Sequence, residues 1–203
     1  MKAQLSIGGI LMISGIIMAS GYSKRFNDNK LLFKIDGKPL IERVIGAAAA
    51  SKLQEIIIIY RCNQVKQIAD KYPIKAIYNE LAHEGQSAAV KLGIKNASPN
   101  TKGYLFMVGD QPFLSSEIIN SIIDIYNKSQ APIVIPTYCG KQGNPVLFSS
   151  KLKDRLTQVN GDKGGRIIFK EYHKEISFDS FSQEEAGIDI DTEKDLSKLK
   201  IKS

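Results

Sequence analysis

Glu55-Ile56-Ile57-Ile58-Ile59-Tyr60 is a β-branched run with no polar side. A strand with one wet face alternates polar and apolar residues. An unbroken apolar run is instead expected in a strand covered on both faces, as in a parallel sheet layered between helices. The rest of the chain repeats that theme. Ile10–Met18, Ile74–Tyr78, Gly103–Val108, Ile133–Pro136 and Pro145–Phe148 read as further strands. Pro39–Ser51, Gln64–Lys71, Gln86–Asn96 and Ser116–Lys128 read as helices, Pro39 sitting at a favoured first-turn position and Ser115 or Ser116 as a cap. Lys151–Val159 and Gly165–Tyr172 read as short helices, Ile188–Asp189 as a last short strand and Thr192–Leu199 as a closing helix. Such alternation predicts an α/β fold with a three-layer, mostly parallel, doubly wound (Rossmann-like) sheet. The late Ile/Val strands suit an antiparallel edge or a small substrate lid.

The 203 residues suit one domain with a full core, and no linker or repeat divides them. A net charge of +7 suits a polyanionic ligand. No basic run with interleaved aromatics is present, which argues against nucleic acid as the partner. Cys62 and Cys139 stand alone, as do His83 and His173, so the spacing of a zinc site is missing. Two unpaired cysteines fit a reducing, cytoplasmic setting. Lys2, the apolar stretch Leu5–Met18 and Ala19-Ser20-Gly21 imitate a signal peptide. Ser6, Gly8, Gly9, Ser14 and Gly15 interrupt that stretch, which is too short and polar to span a membrane. It is read as the first strand. Residues 1–11 then form an extension that the strand does not need, and Met12 is an alternative start.

Past that strand lies Met18-Ala19-Ser20-Gly21-Tyr22-Ser23-Lys24-Arg25-Phe26-Asn27-Asp28-Asn29-Lys30. Small residues let backbone N–H groups approach an anion, and three cations neutralise it. In an open α/β sheet the carboxyl end of a strand is where ligands bind. The spacing is neither a P-loop nor a dinucleotide fingerprint. A turn with solvated charges has the same composition. Asp110 ends another buried strand, inside Gly109-Asp110-Gln111-Pro112, and a hard carboxylate beside a phosphate site suits Mg²⁺. An Asp there also suits a helix cap. In Gly187-Ile188-Asp189-Ile190-Asp191-Thr192, period two places both carboxylates on one face, where a shared cation would relieve their repulsion. Asp191 equally suits a cap. Asn79, Gly85 and Ser87 follow one strand and open a helix, with groups that suit a base edge or a plain N-cap turn. Gly143-Asn144-Pro145 and Gly161-Asp162-Lys163-Gly164-Gly165-Arg166 are loops of a kind that contacts substrate.

Taken in order, these motifs resemble the MobA-like nucleotidyltransferases. The resemblance runs from Met12 to the C-terminus. It rests on Met-Ala-Ser-Gly-x-Ser-x-Arg-Phe, Lys30, Gly-Lys-Pro-Leu at 37–40, Gly85-Gln86-Ser87, Gly109-Asp110-Gln111-Pro112, Gly143-Asn144-Pro145, Gly161-Asp162 with Arg166, and Asp189-Ile190-Asp191-Thr192. The molybdenum cofactor cytidylyltransferase branch matches best. The resemblance implies the nucleotide-diphospho-sugar transferase type of sheet, with Ala19, Ser20, Gly21 and Ser23 around base and phosphates. Asn79, Gly85 and Ser87 would also contact the nucleotide. It further implies Arg25 on the leaving β/γ-phosphates, Lys30 on the α-phosphate, Asp110 and Asp191 on Mg²⁺, and Gly143, Asn144, Asp162 and Arg166 near the acceptor. The implied reaction moves CMP from CTP onto the phosphate of a molybdopterin-type cofactor and releases pyrophosphate, with a molybdenum apo-enzyme downstream. Guanylyl transfer from GTP to the same pterin, nucleotidyl transfer to a sugar or polyol phosphate, and non-catalytic delivery of cofactor are the rival readings. Two departures from the family stand out: Asn27 replaces a usual Gly, and Ser20 replaces Gly or Ala. Asn tolerates a left-handed backbone, so that turn survives.

Overall fold

The computed structural model describes residues 11–22 and 29–190 with Asp195, and for residues 162–164 the backbone alone. In chain order it runs β1 (Ile13–Ala19), β2 (Lys34–Ile35), β3 (Lys38–Pro39), α1 (Leu40–Ala49), β4 (Glu55–Tyr60), α2 (Asn63–Ala69) and β5 (Lys75–Tyr78). There follow α3 (Gln86–Asn96), β6 (Gly103–Val108), α4 (Ser116–Ser129), β7 (Ile133–Tyr138), β8 (Lys141–Gln142), β9 (Val146–Ser149), α5 (Lys153–Gln158) and β10 (Ile176–Phe181).

The main sheet has the order β10-β7-β9-β6-β1-β4-β5, with β8 added to β7. Neighbours β5, β4, β1 and β6 are mutually parallel, as are β7 and β10, while β9 runs antiparallel to both β6 and β7. In β4, Ile57 and Ile59 face one apolar cluster with Ala89, Val90 and Ile94 of α3. Ile58 and Tyr60 face another cluster with residues of α1, α2 and α4. Both faces of the sheet are therefore dry, which is what the unbroken isoleucine run requires.

Five sequence expectations need correction. The antiparallel strand β9 lies inside the sheet rather than at its edge, because the chain reverses after β7 and inserts between β7 and β6. The edge is β10, parallel to β7 and missed from sequence. Its residues Ile-Ser-Phe-Asp-Ser-Phe neither run apolar nor alternate strictly: Asp179 is buried and Phe178 is 47% exposed. Helix α1 starts at Leu40, since Pro39 closes a two-stranded hairpin with Lys34. The second short helix is a 3₁₀ segment, Gly161–Lys170, packed on α3. Residues 188–190 are extended but pair with no strand. The closing helix expected at Thr192–Leu199 lies outside the described residues except for Asp195, which is helical.

Ser14 is the polar residue inside β1, and it is fully buried. Its hydroxyl lies 2.6 Å from Glu55 Oε2 and 2.8 Å from Thr101 Oγ1, and the same carboxylate oxygen accepts from Ser98 N at 2.9 Å. This network ties the amino end of the sheet, away from the site. Glu55→Ala should cost about 1–3 kcal/mol, the range for leaving buried polar groups unsatisfied. Thermal melting checks this, and an unchanged midpoint would mean the carboxylate contributes nothing.

Candidate active site

The chain leaves β1 for β4 and β5 on one side, then crosses back to β6 on the other. The carboxyl ends of β1 and β6 therefore flank the point where strand order reverses, the place where open α/β sheets bind ligands. Gly109 N donates to Met18 O across that point at 3.2 Å. A cleft of about 750 Å³ opens there. Ala19, Ser20 and Gly21 form its β1 side, Gly109 and Asp110 its β6 side, and Gly85, Gln86 and Ala89 the wall made by α3.

Lys30 and Asp110 meet in this cleft, with Nζ 2.6 Å from Oδ2 and each side chain 18% exposed. Asn29 places the lysine: its side chain accepts from Leu31 N at 3.2 Å and starts the 3₁₀ turn Lys30–Leu32. Ser20 is 5% exposed, and its Oγ accepts from Asn79 Nδ2 at 2.9 Å. Asn79 itself is 2% exposed and does not line the cleft. It stands behind Ser20 and fixes that hydroxyl, while its Oδ1 accepts from Leu81 N at 3.2 Å. Gly85 precedes α3 with φ 89°, a left-handed conformation that disfavours any side chain. That leaves the start of α3 open to the cleft. Gln86 and Ala89 share the cleft-facing side of α3, whereas Ser87 is turned inward and 3% exposed.

The segment after residue 186 docks on the β6 end. Ile190 N donates to Asp110 O at 3.0 Å, and Gln111 Nε2 donates to Gly187 O at 3.3 Å and to Asp189 Oδ1 at 2.8 Å. Asp189 is thus held by Gln111, which is 2% exposed. Ser23, Arg25 and Asp191 lie outside the described residues, as does the Asp162 side chain. Gly143, Asn144 and the exposed Arg166 are not among the described residues that line the cleft. Sequence reasoning quoted Tyr22 and Gln86 within motifs without assigning their side chains a role, and missed His83 on the cleft wall and Arg61, whose guanidinium lies 4.2 Å from the centre of the Tyr22 ring. Arg61 directly follows the carboxyl end of β4, a position that could have singled it out.

A cleft at the reversal of a parallel sheet, with a small-residue turn and a lysine against a carboxylate, defines an α/β protein suited to a polyphosphate. A family model, the MobA-like NTP transferase domain, matches residues 15–176, and the chain belongs to that family. It is an enzyme of the nucleotidyltransferase type. The chain is 30% identical over 145 residues to a probable molybdenum cofactor guanylyltransferase of Pyrococcus horikoshii, covering 69% of this chain and 71% of that protein. It is 25% identical over 166 residues to the purine catabolism protein PucB of Bacillus subtilis, covering 77% and 80%. Among solved structures, Rv0371c of Mycobacterium tuberculosis H37Rv in complex with manganese shares the fold, with a TM-score of 0.74 at 19% identity over 93% of this chain and 97% of that one.

Proposed function

We propose that the chain transfers CMP from CTP to the phosphate of a molybdopterin-type cofactor, with Mg²⁺, and releases pyrophosphate. The observation that carries this reading is the Lys30–Asp110 pair at the foot of the switch-point cleft. An oxygen of the acceptor phosphate would attack the α-phosphorus as the bond to the β-phosphate breaks, and pyrophosphate would leave with the electron pair. Lys30 would neutralise charge building on the α-phosphate. Backbone N–H groups of Ala19, Ser20 and Gly21 would orient the nucleotide, and Arg25 would grip the leaving group. Positioning and charge neutralisation are most of what such a transfer needs.

Among the described residues no three His, Cys, Asp or Glu side chains gather round one point. Asp110 therefore fits an ion that takes one or two carboxylates and draws its other oxygens from phosphates and water, as Mg²⁺ does. The manganese complex of the mycobacterial neighbour supports a divalent ion in this fold. Asp191 is proposed as the second carboxylate. Bound there, Mg²⁺ would supply charge neutralisation on the phosphates.

CTP is preferred in this reading because Ser20, held from behind by Asn79, occupies a position where glycine would leave room for a purine. A second reading, guanylyl transfer from GTP, is favoured by the guanylyltransferase relatives. Pyrophosphate release measured with CTP, GTP, ATP and UTP and purified molybdopterin cofactor decides between them. Ser20→Gly should lower the ratio of kcat/KM for CTP over GTP by about tenfold, within the ~1–3 kcal/mol that one group in a tight pocket contributes. A wild type that uses GTP as well as CTP, or a ratio unmoved by the substitution, overturns the steric account. Binding of CTP with no pyrophosphate release on any acceptor would instead indicate a delivery protein.

Among the described residues no helix is long and apolar enough to cross a membrane. The reading places the enzyme in the cytoplasm, working as one domain with residues 1–11 dispensable, and handing its product to a molybdenum apo-enzyme.

A further inference from the structure

Tyr22 follows the β1 turn and lines the cleft, yet it is 49% exposed. Of the large hydrophobic side chains that stand exposed among the described residues, it is the one on the cleft wall. One face of its ring is taken, because the Arg61 guanidinium sits 4.2 Å from the centroid. Arg61 directly follows β4, and Tyr60 before it is the register partner of Ala19, so the arginine leaves the sheet beside the β1 turn. Among the described residues no carboxylate pairs with this guanidinium, and its buried Nε has no hydrogen-bond partner. Its partner is the ring, in a cation–π seat that fixes the ring plane.

Strand order gives the pair a direction. β4 and β6 flank β1 on opposite sides, so their ends are two strand spacings, roughly 9–10 Å, apart. Arg61 follows the first of these ends and Asp110 the second. A nucleotide laid across the carboxyl end of β1, with its phosphates at Lys30 and Asp110, carries its base towards Tyr22. The geometry points to Tyr22 as a stacking platform for the nucleobase, with Arg61 as the positioning residue that holds the ring from its other face. The inference rests on the reading that this cleft takes a nucleoside triphosphate. Stacking needs only a π-face, which every base has, so Tyr22 adds affinity while the choice of base falls to Ser20.

The experiment measures Kd on the full chain for CTP, GTP and inorganic tripolyphosphate, which has no base. Tyr22→Ala should weaken CTP and GTP each by about tenfold and leave tripolyphosphate unchanged. Tyr22→Phe keeps the ring and should restore both nucleotides to within about twofold of wild type. Arg61→Ala should weaken CTP by about threefold, and should have no further effect once Tyr22 is alanine. The chain has no tryptophan, so Tyr22→Trp adds a single reporter whose emission CTP and GTP should quench and tripolyphosphate should not. Equal losses for tripolyphosphate and CTP in Tyr22→Ala overturn the platform. So does quenching by purified molybdopterin cofactor but not by nucleotides. A loss from Arg61→Ala that persists without the Tyr22 ring overturns the positioning role. Nucleotide losses as expected, with no pyrophosphate release on the pterin, support the platform and overturn the transfer reading alone. A wild type that binds neither nucleotide overturns both.

Discussion

Asp110→Ala is expected to leave the chain folded and to cut turnover by at least a hundredfold. The carboxylate follows β6 in the cleft, 18% exposed and paired with Lys30. The bond that docks the 187–190 segment here uses the Asp110 backbone oxygen, which alanine keeps. Losing a ligand of the metal ion proposed to neutralise charge that develops in the transition state costs about 3 kcal/mol or more, equivalent to ~10²-fold in rate. Pyrophosphate release at saturating Mg²⁺, alongside a melting curve, measures both halves of the prediction. Turnover near that of the wild type would remove Asp110 from the chemistry.

Lys30→Met is expected to lower kcat by about a hundredfold while nucleotide KM moves by less than about threefold, the pattern of an interaction made mainly in the transition state. Methionine keeps the length and apolar stem of lysine but not its charge. Asn29 still caps the turn that aims residue 30, so its backbone is unaffected. The proposed role of Arg25 sets the contrast. A fork on the β/γ-phosphates contributes before chemistry, so Arg25→Met should raise nucleotide KM first. Steady-state kinetics with both variants would show the reverse pattern if the two cations have exchanged roles.

The elements that are long and strongly patterned were legible from sequence. Glu55–Tyr60, Gln86–Asn96 and Gly103–Val108 have the boundaries expected of them. So was the meeting of Lys30 with Asp110, 80 residues apart, because both follow strands whose carboxyl ends must face one crevice in a doubly wound sheet. β10 was not legible, because Ile-Ser-Phe-Asp-Ser-Phe has neither an apolar run nor one apolar face. Ser87 suits a base contact or a plain cap by sequence, and in the fold it is 3% exposed, one helical step of 100° round from Gln86 on the cleft wall.

By itself the sequence determined the class of sheet and the strand ends that border the cleft, because apolar period and small-residue turns are local properties, while the family was reached through the resemblance of its ordered motifs. Only the tertiary structure decided which side chains stand in the cleft and which stand behind it. Asn79 looked like a base contact and proves to brace Ser20, 59 residues away. Gln111 looked like part of a motif and proves to hold Asp189, 78 residues away. Gly143 and Gly187, 44 residues apart, both lie against the Tyr138 ring, and no local period links them. Contacts of this kind are set by how strands are ordered and registered across the sheet, and nothing in a local run of residues encodes that.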